Sequence, residues 1–281
     1  MLGIIMMLAA IGFLATMNVM IKLIGPGYHP AQVTFLRNMV AAMVIVPFIL
    51  NSGGMTVLRT KRPWGHAARA LFGVIGNICY FYAFVRLPLA DVMVISQAVP
   101  LFVAMMAVVF LREQVGWRRW AAIGVGFIGV LVTLDPTGSV EPAALVTVVA
   151  TIFWATTILL MRSLGRTESP YAVAFYYMVA GTLMTALVQP WIWRPPPPEI
   201  YALLIAAGVF GAFGQVLMTY ALKLAEASVV SPFNYTAILW GVIFDLAVWG
   251  VTPSTATLWG AGIITVAGLY LFHREGMRRR R

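Results

Sequence analysis

Long apolar runs separated by short polar connections make up most of the amino-acid sequence. Each run is about twenty residues long, the length at which an α-helix crosses the hydrocarbon core of a bilayer. No run alternates apolar and polar residues with a period of two, as a transmembrane strand would, and helices satisfy their own backbone groups inside lipid. The pattern therefore predicts ten transmembrane helices, with these bounds: residues 2–24, 31–50, 65–87, 91–112, 118–134, 141–163, 170–190, 199–224, 228–250 and 256–273.

One sequence motif occurs twice, about 138 residues apart. Phe-Gly-Val-Ile-Gly-Asn at residues 72–77 matches Phe-Gly-Ala-Phe-Gly-Gln at residues 210–215, and at a shift of 140 Lys22 matches Arg162. Self-similarity of this kind is the signature of an internal repeat. It predicts two copies of a five-helix unit and a basic tail: residues 1–135, 141–273 and 274–281.

An odd number of helices in each unit reverses the direction in which the second unit enters the membrane. The two units are then related by a pseudo-two-fold axis in the membrane plane, which is a common construction of secondary transporters. We therefore expect an all-α integral membrane protein with two inverted five-helix repeats around a central cavity. Because one chain supplies both sides of the cavity, a monomer would suffice.

The composition agrees with a membrane protein and excludes a soluble one. The chain is 61% hydrophobic and 10% charged, with a mean hydropathy of +0.90, whereas soluble domains are about half apolar and a quarter charged. The first run has neither a basic residue before it nor a small-residue cleavage site after it. We therefore interpret it as a retained span rather than a signal peptide.

The net charge of +10 is distributed as the positive-inside rule predicts. With the N-terminus in the cytoplasm, 15 of the 19 Lys and Arg residues fall on the cytoplasmic side, Arg69 among them. Both termini are thus expected in the cytoplasm of a cell whose inner membrane holds the protein, with the basic tail near anionic lipid head groups. Nucleic acid is not an expected partner, because no soluble domain presents these arginines.

The sequence offers no constellation for catalysis, a metal or a cofactor. The three histidines, His29, His66 and His273, lie near span ends without the spacing of metal ligands. The single cysteine, Cys79, lies inside an apolar run, where a thiol is usually inert. The glycines at 124, 126 and 129 match a dinucleotide-binding fingerprint as text, but no strand precedes them, so we interpret them as helix-packing residues.

Four carboxamide side chains occupy corresponding positions of the two units. Asn77 in the third run matches Gln215 in the eighth, and Gln97 in the fourth matches Asn234 in the ninth. A buried polar group costs free energy unless it is hydrogen-bonded. The amides are therefore either the polar lining of a cavity, with donors and acceptors for a zwitterion, or hydrogen bonds between helices.

Aromatic residues accompany the amides. Asn77, Tyr80 and Phe84 share one helix face by their spacing, and Trp154 lies two residues before Thr156 in the sixth run. Aromatic rings on the same faces as the amides could stack on an aromatic or apolar substrate. The predicted substrate-binding wall is Asn77, Tyr80, Gln97, Trp154, Gln215 and Asn234.

Charged residues inside spans are costly and are candidates for function. Asp245 in the ninth run could couple protons to transport, pair with a basic neighbour or reach the outer interface. Arg37 in the second run is expected to extend its side chain toward the outer surface. Lys22 ends the first run and is expected at the interface.

Several of these residues resemble the drug/metabolite transporter superfamily, in particular proteins made of two EamA-type five-helix units. The resemblance covers nearly the whole chain, although Gly250 stands where a counterpart of Glu113 would lie. It is carried by Tyr82-Ala83-Phe84 through Ala90, by Pro100, by Arg112-Glu113, and by the counterpart Tyr220-Ala221-Leu222 through Ala227-Ser228. Within the superfamily the chain looks most like the YddG-type exporters of aromatic and other neutral amino acids.

The resemblance implies efflux from the cytoplasm through a central cavity by alternating access. In small four-helix relatives a glutamate of the first span carries protons, but residues 2–24 contain no acid, so that mechanism is not carried over. The expected cargo is an amino acid, with another neutral or cationic metabolite or a drug as the alternative. A membrane-embedded enzyme or a structural membrane protein is the competing class. A sugar phosphate would need a basic cluster, and the expected lack of fixed charge at mid-membrane argues against one.

Overall fold

The computed structural model describes residues 2–111, 117–134, 141–224 and 231–279. Within these ranges all regular structure is helical. Three short non-α segments, Gly54–Leu58, Ser231–Tyr235 and Asp245–Trp249, interrupt or join the α-helices. In chain order the helices are α1 (Leu2–Ile24), α2 (Pro30–Asn51), α3 (Pro63–Phe84), α4 (Leu89–Ser96), α5 (Val99–Leu111), α6 (Trp117–Leu134), α7 (Pro142–Gly165), α8 (Pro170–Ala186), α9 (Gln189–Ile192), α10 (Pro198–Leu224), α11 (Thr236–Phe244) and α12 (Thr255–Arg279).

Five of the helices are long and apolar enough to cross a membrane, namely α1, α2, α3, α7 and α10. Shorter apolar helical stretches lie at Leu89–Val103, Trp120–Leu134, Phe233–Trp249 and Thr255–Tyr270. The fourth run is therefore not one continuous helix, because α4 ends at Ser96 and α5 begins at Val99. Proline has no N–H and disfavours helical geometry in the residue before it, so Pro100 accounts for a new start at this point.

Proline also sets the beginnings of the longer helices. A proline at the first helical position lacks the N–H that would be unpaired there and has a φ angle suited to the helix. Side chains add capping at two of these positions, since Ser169 Oγ accepts from Ala172 N at 3.2 Å and His29 Nδ1 accepts from Ala31 N at 3.2 Å. Five helices begin in this way, at Pro30, Pro63, Pro142, Pro170 and Pro198.

The helices pack in pairs that join the first half of the chain to the second. α1 packs along α10, α3 along α7, α2 against α8, α4 against α11 and α6 against α12. Glycines allow the close approaches that we expected of them. A Cβ atom on Gly73 would lie 2.8 Å from Tyr177 Cε2, one on Gly214 would lie 2.7 Å from Leu14 Cγ, and one on Gly129 would lie 3.1 Å from the carbonyl oxygen of Gly260.

Contacts between connecting segments define two ends of the bundle. At one end, which we call the Lys22 end, Lys22 Nζ lies 2.8 Å from Asp245 Oδ1 and Arg194 Nη1 donates to the carbonyl oxygen of Gly27 at 3.2 Å. At the other, the Arg62 end, Arg62 Nη1 donates to the carbonyl oxygen of Ser163 at 2.7 Å. The described connections therefore meet in two separate groups, and a space lies between them.

Candidate functional site

A cavity of about 200 Å³ lies at the centre of the bundle. Its wall is formed by α1, α2, α3, α4, α5, α7 and α10 together with the short helical turn before α11 and the start of α11 itself. It extends from Asn18 and from Phe84, the last residue of α3, to Met7 in the second turn of α1 and Leu222 in the last turn of α10. The cavity lining includes all six residues that the sequence predicts as the substrate-binding wall: Asn77, Tyr80, Gln97, Trp154, Gln215 and Asn234.

Two of the four amides also link helices. The Asn77 side-chain amide donates to the Tyr177 hydroxyl, and Gln215 Oε1 accepts from Arg69 Nη2 at 3.2 Å. Both residues are buried, with exposed fractions of 7% and 3%. Asn77 and Gln215 therefore agree with both interpretations of the sequence, because each residue lines the cavity and also forms a hydrogen bond between neighbouring helices.

The other two amides lie where the helices are interrupted. Gln97 follows the last residue of α4, and its backbone N–H bonds the carbonyls of Met93 and Val94 at 3.2 and 3.0 Å. Asn234 lies in the 3-10 turn Ser231–Tyr235 before α11. Non-helical backbone is tolerated at membrane depth where it lines a cavity or is buried in protein. In the described part of the chain neither side-chain amide makes a hydrogen bond, so both remain available to a solute.

The rest of the wall is apolar and adaptable. The Tyr80 and Phe84 rings stack with centroids 5.9 Å apart, as expected of two residues on one helix face, and Tyr80 Oη lies 3.0 Å from Thr151 Oγ1. Four methionines from three helices, which the sequence analysis did not select, complete this surface. Thioether side chains are flexible and polarisable, and they contact aromatic groups favourably. The methionines are Met7, Met17, Met93 and Met218.

Arg37 is also part of the cavity wall, and the expectation that it extends outward is wrong. Its exposed fraction is 2%. Arg37 Nη1 donates to Met17 Sδ at 3.0 Å, and the guanidinium carbon lies 5.5 Å from the centre of the Phe81 ring. The expected lack of fixed charge at mid-membrane is therefore also wrong. The position of Arg37 inside an apolar run was the available signal for an inward orientation, because an intramembrane charge usually faces the interior of a bundle.

Arg69 is the second buried arginine of the bundle. Its side chain, in the second turn of α3, has an exposed fraction of 1%, and its expected place on the cytoplasmic side stays a prediction. Its guanidinium carbon lies 4.5 Å from the centre of the Tyr177 ring, and Arg37 Nη2 lies 3.5 Å from the Tyr177 hydroxyl. Tyr177 thus lies between two buried arginines. Sequence reasoning missed this tyrosine, although it follows Arg37 by the repeat shift of 140.

Asp245 lies at the Lys22 end, outside the cavity lining. Its carboxylate pairs with Lys22 and accepts a hydrogen bond from the backbone N–H of Ala90 at 2.7 Å. Lys22 Nζ also lies 4.3 Å from the centre of the Trp249 ring. The structure thus shows the pairing with a basic neighbour that was considered for Asp245, and a role in proton coupling stays a prediction. Lys22 correspondingly points into this cluster, and 14% of its side chain is exposed.

The described geometry can be compared with known proteins. The family model described as "EamA-like transporter family" matches residues 1–135 and 141–273. The chain belongs to the EamA-like transporter family. The description of the family and the names of the chain's relatives all refer to transporters.

The curated relatives of this EamA-like transporter differ in cargo. An S-adenosylmethionine uptake transporter of Rickettsia felis is 30% identical over 92% of this chain and 88% of its own length. A riboflavin transporter of Vibrio cholerae is 30% identical over 91% and 87%. A pseudopaline exporter of Pseudomonas aeruginosa is 26% identical over 96% and 95%. These names do not single out aromatic amino-acid exporters, which the sequence resemblance favoured.

A solved crystal structure matches the fold with a TM-score of 0.68 over 99% of both chains. The two sequences are 18% identical. This likeness bears on the fold alone.

Proposed function

We propose that this EamA-like protein is a secondary transporter that exports a small organic solute through its central cavity by alternating access. Neutral amino acids, with aromatic ones foremost, are the proposed cargo. The observation that carries the proposal is that six residues chosen from both halves of the sequence line one cavity. Residues taken from corresponding positions of a repeat meet in this way when the repeat builds a shared pathway.

The proposed architecture is ten membrane crossings arranged as two inverted units. The helix pairing supports it, because α1 with α10 and α7 with α3 are the same pair exchanged between the two halves. The described connections also gather at alternate ends of the bundle. The Arg62 end carries Arg59, Lys61 and Arg62, so we assign it and both termini to the cytoplasm.

This orientation is tested by labelling introduced cysteines in a Cys79→Ser background. Arg59 lies in the connection at the Arg62 end and Gly27 lies at the Lys22 end, and both are exposed. In intact cells a membrane-impermeant maleimide should label Gly27→Cys and leave Arg59→Cys unlabelled. In inverted vesicles the labelling should be reversed, and labelling of both variants from the same side would contradict the inverted architecture.

The cavity suits a small cargo with a polar end and an apolar part. Drug-sized ligands usually occupy about 300–1,000 Å³, so a cavity of about 200 Å³ favours a single amino acid. Gln97 and Asn234 offer amide donors and acceptors, while Tyr80, Phe84 and Trp154 offer aromatic faces. S-adenosylmethionine and riboflavin, named for the relatives, are the alternative cargo. They join a heteroaromatic ring to a polar part but are larger, so the cavity would have to widen.

Alternating access requires one end of the pathway to close while the other leads to the cavity. A second crevice, of about 470 Å³, lies at the Lys22 end and is lined by Tyr28, His29, Arg86 and Arg194 among others. Phe81 lines both spaces and is 2% exposed. We therefore assign to Phe81 the role of a partition between the central cavity and the outer crevice in this conformation.

The test of the cargo is solute exchange by purified protein in liposomes. Liposomes preloaded with unlabelled phenylalanine, threonine or methionine should accumulate the same labelled amino acid, and protein-free liposomes should not. Parallel reactions with S-adenosylmethionine and riboflavin distinguish the alternative. Exchange of either of those compounds alone, without any amino acid, would contradict the proposed cargo and favour the alternative.

A further inference from the structure

We propose that Arg37 binds the carboxylate of the cargo, and that the cargo needs this carboxylate but not an ammonium group. The proposal rests on the proposed function, because it identifies what the same cavity recognises. It widens the expected cargo from neutral amino acids to small apolar carboxylic acids in general.

The first argument is that the charge of Arg37 lacks an anionic partner. Its Nε atom is buried without a hydrogen-bond partner. Its other bonds go to neutral groups, namely the weak acceptor Met17 Sδ, the Asn38 side-chain oxygen and, at 3.5 Å, the Tyr177 hydroxyl. Within the described ranges the two pairs of basic and acidic side chains within 4 Å are Lys22 with Asp245 and His66 with Glu168. A guanidinium carries five N–H donors and suits a carboxylate in bidentate geometry.

The second argument is that this unsatisfied cation lies on the wall of the cavity. The guanidinium is fully charged under all ordinary conditions, and a buried charge is costly unless it is paired. Asn18, also on the wall, adds a fifth side-chain amide to the four already described in the same cavity. An anionic group that enters the cavity would therefore meet a cation that is already in position. In a site open to water, the solvent would screen the attraction between the two charges.

The third argument concerns the ammonium group of an amino acid. The described cavity lining contains no aspartate or glutamate. An ammonium group would have only amide oxygens and the aromatic faces of Tyr80 and Trp154, which attract cations weakly. The wall therefore has a strong partner for a carboxylate and a weak one for an ammonium group. An acid without the ammonium group should bind at least as well as the amino acid.

Arg69 provides a matched control in the same region. It is as buried as Arg37 and contacts the same tyrosine, but it does not line the cavity. Its Nη2 atom is bonded to Gln215 instead. If burial of a cation near Tyr177 mattered only for folding, replacing either arginine would have the same kind of effect. If Arg37 binds cargo, only its replacement should change which solutes are bound.

The experiment measures binding of three phenyl compounds to the purified full chain, by titration in detergent. The compounds are phenylalanine, 3-phenylpropionate and phenylalaninamide. We expect the two carboxylates to bind and the amide to bind at least about 30-fold more weakly, because loss of one partner of a buried charge pair is costly. Arg37→Lys should keep part of the preference for carboxylates, and Arg37→Gln should abolish it. Arg69→Lys should keep the full preference.

The wild-type comparison alone keeps the proposal falsifiable if Arg37→Gln does not fold. Equal binding of acid and amide by the wild type, or binding of neither, would overturn the proposal. So would an Arg37→Gln variant that still prefers the acid. The proposed function fails separately: if the wild type binds carboxylates selectively but exchanges no solute across liposomes, the carboxylate site stands and the transport assignment falls. If it exchanges amino acids but binds acid and amide equally, the transport assignment stands and the carboxylate site falls.

Discussion

The basic residues Lys22 and Arg62, at opposite ends of the helix bundle, are held by different kinds of interaction. At the Lys22 end, the ion pair of Lys22 and Asp245 is largely removed from solvent, and Asp245 also holds the backbone of Ala90 at the start of α4. At the Arg62 end, Arg62 is exposed and bonds Ser163 through its carbonyl and hydroxyl oxygens at 2.7 and 2.9 Å. Removing one partner of a buried pair costs far more free energy than breaking an exposed contact.

The difference originates in how the repeated sequence has diverged. Lys22 matches Arg162 at the shift of 140, so each half places a cation near the end of its first helix. Asp245 has no acidic match, because residues 107 and 108, at shifts of 138 and 137, are alanine and valine. Arg162 instead lines the cavity. The Arg62 end has an acidic residue of its own, since Glu168 Oε2 lies 3.7 Å from His66 Nε2. The comparison teaches that the two ends of the duplicated fold place their acidic residues at positions that do not match in the repeat.

The largest expected effect comes from replacing the acid at the Lys22 end. Asp245→Asn leaves Lys22 partly buried beside a neutral group and should lower the free energy of unfolding by about 3–5 kcal/mol. Thermal unfolding of the purified protein in detergent measures this change. The double variant Lys22→Met with Asp245→Leu should recover much of the loss. A loss below about 1 kcal/mol for Asp245→Asn, the range of exposed pairs, would remove the distinction between the two ends.

The next prediction concerns the space between the ends. Gln97→Ala and Asn234→Ala should each lower solute exchange by at least about tenfold, which corresponds to about 1.4 kcal/mol of lost interaction, while protein levels and thermal unfolding stay unchanged. Asn77→Ala is the matched control, because it also removes a bond to Tyr177 and should lower stability as well. Normal exchange by both variants at equal protein levels would contradict the amide-lined site.

A smaller effect is expected where the cavity meets the outer crevice. Phe81→Leu removes part of the ring that lines both spaces and should cost about 1–1.5 kcal/mol of stability, because buried atoms are lost and the space left behind is only partly refilled. Liposomes containing this variant should lose preloaded solute faster than those containing the wild type. Unchanged retention would show that Phe81 does not separate the two spaces. Phe72→Leu, which alters a ring paired with Phe153 outside the cavity lining, serves as the control.

The smallest effect is expected at the Arg62 end. Arg62→Gln removes an exposed cation and its bonds to Ser163, which should change stability by less than about 1 kcal/mol. The measurement is the same thermal unfolding as for Asp245→Asn, so the two ends are compared directly. A loss of stability as large as that of Asp245→Asn would contradict the expected difference between these two residues.

The sequence predicted the cavity wall well because a repeat adds a second constraint to each position. Asn77 and Gln215, taken alone, could be ordinary hydrogen bonds between helices. Their matched positions indicated that they approach a common centre, and the structure places both on the wall of one cavity. The apolar runs likewise predicted helices near their observed bounds, since little else in such a composition satisfies the backbone in lipid.

The hydrophobic periodicity of α2, by contrast, did not indicate the orientation of Arg37. α2 is apolar over most of its surface, so periodicity does not show which face is turned inward. The same limitation hid Arg69 and Tyr177, whose places depend on how α3 and α8 are rotated against each other. The interruption beside Gln97 was only partly indicated, because Pro100 signals a bend without fixing which backbone groups it frees.

The contact between Arg37 and Tyr177 has a consequence for the origin of the fold. The two residues stand at equivalent places of the duplicated unit and lie within 3.5 Å of each other. In an assembly of two identical single-unit chains, whatever occupied that place would have faced its own copy, and two guanidinium groups would repel. A cation opposed by a phenol requires that the two copies of the unit differ in sequence at this place.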